Sequence, residues 1–163
     1  MKVFIKNKLI SLGGSSTVVD EQGKDVFVVK GKIVSPTKKK FIYDTQGKLL
    51  YIVRNKWWSF FVNRVFVLDA NNKRLATIKK NKFSFNATYA VEDCADAMSI
   101  EGKIFGRESK IMRNGNVAGV ITREFTIVSD AFTLEAEESD IAFMTAMVIA
   151  FDNMKDQIQD EDR

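Results

Sequence analysis

Residues 141–151 read Ile-Ala-Phe-Met-Thr-Ala-Met-Val-Ile-Ala-Phe. Ser139 or Asp140 can cap such a helix, and Glu135, Glu137, Glu138 and Asp140 gather where a helix N-terminus favours negative charge. Apolar residues on every helical face, instead of one stripe, demand burial all round or a membrane. The run is about half the roughly 20 residues that a bilayer requires. A helix over about 139–158 must therefore be enclosed by the rest of the chain.

The enclosing material shows itself as a repeat of about 24 residues. Lys8-Leu9-Ile10-Ser11, Lys32-Ile33-Val34-Ser35 and Lys56-Trp57-Trp58-Ser59 each open a unit that closes on an aspartate, Asp20, Asp44 or Asp69. Turns follow: Asp20-Glu21-Gln22-Gly23-Lys24, Asp44-Thr45-Gln46-Gly47-Lys48 and Asp69-Ala70-Asn71-Asn72-Lys73. Asp bonds its local backbone, and Gly or Asn accepts positive φ, so these are hairpin turns. Short β-branched or aromatic stretches follow each turn, and then a Gly/Asn-Lys pair: Gly31-Lys32, Asn55-Lys56, Asn81-Lys82 or Gly102-Lys103. Gly or Asn in a strand pattern predicts a bend at each pair.

Two strands per unit, with a single Pro at Pro36, give about a dozen short strands over residues 2–136. The expected fold is mainly β: a closed antiparallel barrel of about twelve strands around a hydrophobic C-terminal helix, one domain over residues 1–163. Twelve strands leave a lumen that needs filling, and the helix fills it.

The Lys-x-x-Ser units running into Asp-x-x-Gly-Lys, from Lys8 to Lys48, together with the apolar helix from Ile141, resemble the LURP-one-related family and its bacterial members. The resemblance covers nearly the whole chain. It implies the tubby C-terminal-like fold, a twelve-stranded barrel threaded by a helix, shared with tubby proteins and phospholipid scramblases. Tubby proteins bind phosphoinositides and scramblases act on membranes. No residue of a tubby lipid pocket has a match here, so the resemblance assigns no binding residue.

Chemistry is constrained mostly by exclusion. His is absent and Cys occurs once, which removes disulfides and most routes to zinc sites and to Ser-His or Cys-His catalysis. Cys94 sits among Asp93 and Asp96, which raise a thiol's pKa. No phosphate loop or dinucleotide fingerprint is present, so neither cofactor nor metal is expected, and no enzyme. The N-terminus lacks a signal-peptide apolar run, and with the lone cysteine this gives a cytoplasmic expectation.

The net charge of +4 conceals an asymmetry. Residues 1–82 hold 18 Lys+Arg against 5 Asp+Glu, and residues 83–163 hold 7 against 16. A basic side of this kind attracts an anionic membrane surface or a phosphorylated ligand. Candidate contacts are the loop Lys38, Lys39 and Lys40, placed by the repeat at the same barrel end as Arg64, and a second cluster at Lys79, Lys80 and Lys82. Trp57 and Trp58 form a candidate contact patch, alternation putting Trp57 and Phe61 on one side and Trp58 and Phe60 on the other.

The leading expectation is a non-catalytic binding or scaffold module with a basic rim and no transmembrane segment. Phosphoinositides are one such ligand. Alternatives are a small-ligand carrier or enzyme with a pocket beside the helix, motivated by Met144, Met147 and Met154, or a protein-interaction scaffold. Nucleic acid is a weaker candidate, resting on charge and aromatics alone.

Overall fold

The aspartate turns organise the wall. Asp20 Oδ1 accepts the backbone N–H of Gln22 and of Lys24, both at 2.9 Å. Asp44 repeats this with Gln46 and Lys48, and Asp69 with Asn71 and Lys73, at 2.8–2.9 Å. Gly23, Gly47 and Asn72 take the positive φ that each turn requires, at 77°, 84° and 64°. One local chemistry thus closes three hairpins.

In the computed structural model, residues 1–6, 15–32, 35–57, 63–80, 88–102, 107–125 and 130–161 are described, without the side chains of 124, 125, 130 and 155–161. The strands are β1 (Lys2–Lys6), β2 (Ser15–Asp20), β3 (Asp25–Gly31), β4 (Lys40–Asp44), β5 (Leu49–Asn55), β6 (Arg64–Asp69), β7 (Arg74–Lys80), β8 (Thr88–Glu92), β9 (Met98–Glu101), β10 (Glu108–Arg113), β11 (Asn116–Phe125) and β12 (Asp130–Ala136). Each pairs antiparallel with its sequence neighbours, and β1 pairs with β12, from Lys2 opposite Glu135 to Lys6 opposite Ala131. The barrel is closed, which removes the edges at which sheets aggregate. Because neighbours in sequence are neighbours in space, the basic half of the chain, β1 to β7, forms one continuous arc of wall.

Among the described residues the register shifts fall elsewhere than the Gly/Asn-Lys pairs; Asn81, Lys82 and Lys103 lie outside the described residues. Gly31 and Asn55 end β3 and β5, and Gly102 follows β9, so at these residues the chain leaves the sheet. The register shifts lie beside the turns, where Val26, Leu50, Leu75 and Ala118 are the extra residues of β3, β5, β7 and β11. Three of them, Val26, Leu50 and Ala118, pack against the interior. A bulge here lets two successive residues serve the core and increases the local twist.

Helix α1 (Ile141–Glu161) is buried on all sides from Met144 to Met154. Its faces meet inward residues from around the barrel, including Val3, Val29, Val53, Val67, Ile100 and Leu134. Asp140 is the cap: its carbonyl accepts the Met144 N–H at 2.9 Å. Twenty-one residues at 1.5 Å span about 31 Å, whereas strands of five to seven residues reach about 17–23 Å. The helix enters at the end that carries the aspartate turns, the turn end, and runs beyond the rim at the far end.

Candidate functional site

Polar side chains fasten the helix at both ends. At the turn end, Arg113 Nη1 donates to Asp140 Oδ2 at 2.6 Å, and Arg113 Nε lies 3.6 Å from Asp96. The bond to Asp140 holds the Arg113 guanidinium's pKa above its ordinary value. At the far end, Asn153 Nδ2 donates to the Lys38 carbonyl at 3.1 Å and to Asn55 Oδ1 at 3.0 Å.

Lys40 also belongs to this interior. It starts β4 with the inward parity of Ile42, and its Nζ lies 3.9 Å from Asp152 Oδ2. Both side chains are buried, so the structure separates Lys40 from the surface on which Lys39 and Arg64 stand. Lys38 takes φ 45° in the link to β4, and its backbone serves the helix.

The outer face of the far end is basic. Val53, Val65 and Ile78 are in the core, so alternation sends Arg54, Arg64 and Lys79 outward from β5, β6 and β7. Lys39 precedes inward Lys40, and exposed Lys56 follows inward Asn55. The Lys56 N–H donates to the Arg64 carbonyl at 2.9 Å, and Arg64 stands opposite Lys79. Arg54, Arg64 and Lys79 on β5, β6 and β7, with Lys39 just before β4 and Lys56 just after β5, therefore form one stripe. Of the two basic clusters legible in the sequence, Lys39, Arg64 and Lys79 enter the stripe; Lys40 is interior, Lys38 serves the helix through its carbonyl, Lys80 alternates with Lys79, and Lys82 lies outside the described residues.

An apolar floor lies beneath the stripe. Ile52, Phe66 and Leu68 make a second buried cluster on the outer wall, with Phe41 and Leu49 packed against it. Arg54 and Arg74 lie over the Phe66 ring, at 5.1 and 4.2 Å from its centroid. Guanidinium groups cover aromatic surface in this way while keeping their charge hydrated. Lys79 pairs with Glu92, and Arg64 Nε is buried without a hydrogen-bond partner. Arg54 and Lys56 flank Trp57 in the sequence; what assigns them to the stripe is the β5 parity and the Lys56 pairing with Arg64, neither of which the sequence shows.

Trp57 stands beside Lys56, 68% exposed. Because β5 ends at Asn55, the alternation expected for Trp57 does not apply; Trp58, Phe60 and Phe61 lie outside the described residues.

Elsewhere, charges satisfy one another. A groove of about 560 Å³ at the turn end is lined by Met1, Lys2, Arg113, Glu135, Glu137 and Asp140, among others. Its cations are taken: the Met1 ammonium donates to the Ala136 carbonyl at 2.7 Å, Lys2 pairs with Glu135 at 3.1 Å, and Arg113 holds Asp140. Asp93 pairs with Arg74 at 3.8 Å, while Asp96 accepts from Asn114 at 3.0 Å. Cys94 donates to the Leu75 carbonyl at 3.3 Å, and burial, then Asp93, pushes its thiol up, against a smaller opposing effect of Arg113. No group of acids and Cys suited to a metal occurs among the described residues. No helix among them is long and apolar enough to cross a membrane.

The LURP-one-related family matches residues 1–152. The chain belongs to the LURP-one-related family. The match takes in all twelve strands and the helix through Asp152; it names no source, so the likeness to bacterial members stays without support. Comparisons with curated proteins and with solved structures each return no match.

Proposed function

We propose that this LURP-one-related protein is a non-catalytic binding module that docks on an anionic membrane surface in the cytoplasm through the stripe of Lys39, Arg54, Lys56, Arg64 and Lys79. The observation that carries this reading is the gathering of these five cations, from β5, β6 and β7 and the residues flanking β4 and β5, on one outer face, with Lys79 alone in an ion pair among the described residues. Each basic residue near an anionic surface contributes about 1 kcal/mol, so the stripe supports reversible, salt-sensitive attachment. Phosphoinositide headgroups fall within this class of ligand.

Co-sedimentation with vesicles of phosphatidylcholine, with and without phosphatidylserine, at low and moderate salt tests the reading. Binding is expected only with the anionic lipid, weakening as salt rises. Combining R54Q, K56Q and R64Q is expected to weaken it about a hundredfold, from roughly 1 kcal/mol per charge. Equal sedimentation with both lipid mixtures would overturn it. The alternative of a pocket beside the helix gains no support from Met144, Met147 and Met154, which are fully buried in the core.

A further inference from the structure

Large apolar side chains are exposed at three places among the described residues: Met1, Trp57 and Val117. Met1 and Val117 stand at the turn end, beside the groove whose charges pair internally. Among the described residues Trp57 is the large exposed apolar side chain of the far end, and it is the most exposed of the three. Its base is firm, since the Lys56 N–H is bonded to Arg64 and inward Asn55 accepts from Asn153 of the helix. The indole thus stands two residues beyond the fixed end of β5, with Lys56 next to it and Arg64 across from Lys56.

We infer that Trp57 is the residue that enters the lipid interface, so that the barrel attaches by the far rim of β5 and β6 with its turn end held away from the bilayer. This rests on the docking reading above and adds depth and orientation to it. An indole has an apolar body and one N–H donor, a combination that favours the headgroup level over both water and hydrocarbon. Charge complementarity selects the occupant: cations flanking an exposed indole fit an anionic bilayer, where the ring loses water while the ammonium and guanidinium groups stay at the phosphates. The turn end, with its aspartate turns and Glu135, Glu137 and Asp140, lacks that complementarity.

The chain has two tryptophans, so W58F leaves Trp57 as the sole indole emitter. On phosphatidylcholine vesicles containing phosphatidylserine, its emission is expected to shift to the blue and to be quenched more by bromines placed high on the acyl chain than by deep ones. Should W58F fail to fold, the difference between the native chain and W57F gives the same signal. Val117→Trp in a W57F/W58F background is expected to keep its solution emission, reporting the turn end. W57A is expected to weaken vesicle partition about tenfold, the order set by burying one aromatic side chain, with the salt dependence unchanged. Vesicle-bound W58F protein with unshifted, unquenched emission would overturn the insertion and leave electrostatic docking intact. Absence of any binding to anionic vesicles would instead remove the docking reading itself.

Discussion

Lys40 and Asp152, far apart in sequence, meet inside the barrel with Nζ and Oδ2 3.9 Å apart and only 5% and 4% of their side chains accessible. One belongs to the wall and the other to the helix, so the pair fixes how far the helix is threaded. Removing one partner of a buried ion pair leaves an uncompensated charge and costs about 3–5 kcal/mol. K40M and D152N are each expected to lower stability by that order in urea unfolding, and K40M/D152L to lose less than the two together.

The pH dependence has a definite sign. Cys94 is raised above 9.0 by burial and then Asp93, and Tyr51 above 10.0 by burial and then Asp140. The folded state therefore holds both protons more tightly than the unfolded state does. That contribution is present in full below the unfolded values and is lost as pH rises through them to the folded ones. Stability measured by denaturant is expected to fall above about pH 9, the ordinary thiol value, and the fall is expected to be shallower in C94A. A thiol held protonated is also expected to alkylate more slowly in the folded protein than in urea at the same pH.

Gly102 has φ 131°, and a Cβ there would lie 2.6 Å from Ser109 Oγ and 2.8 Å from its Cα. Both conformation and space oppose a side chain. G102A is expected to cost about 1–3 kcal/mol, read as a lower thermal midpoint, whereas alanine for Val117, which is exposed, is expected to change little.

The last turns of α1 bear on membrane docking. Asn153 is already at the far rim, so residues 155–161 continue beyond it at the basic end. Residues 155–161 carry three acids, Asp156, Asp160 and Glu161, against one lysine, Lys155, so this end of the helix has a net negative charge. Neutralising these three acids to Asn or Gln is expected to raise affinity for anionic vesicles severalfold at low salt, with the gain shrinking as salt screens the repulsion. Vesicle titration at two ionic strengths checks it.

The closed barrel was legible because its signals are local. Asp20, Asp44 and Asp69 cap turns that any chain with those residues forms, and a helix apolar on every face has no stable place except an enclosure. The expected helix over 139–158 begins at Ile141 and runs to Glu161. Its exact end was not legible because no Gly or Pro follows the apolar stretch to stop it.

Local pattern did not say which of Lys38, Lys39 and Lys40 faces out. A strand sends successive side chains to opposite faces, so one shift of register exchanges interior and surface. Here the shift depends on bulges at Val26, Leu50 and Leu75, beside the turns and not at Gly31-Lys32 or Asn55-Lys56. Turn chemistry and apolar content, properties of neighbouring residues, were thus determined by the sequence alone. Pairing between strands and helix decided that Lys40 joins Asp152 inside while Lys39, Arg54, Lys56 and Arg64 line the outside, because burial is a property of the closed wall and not of any single segment.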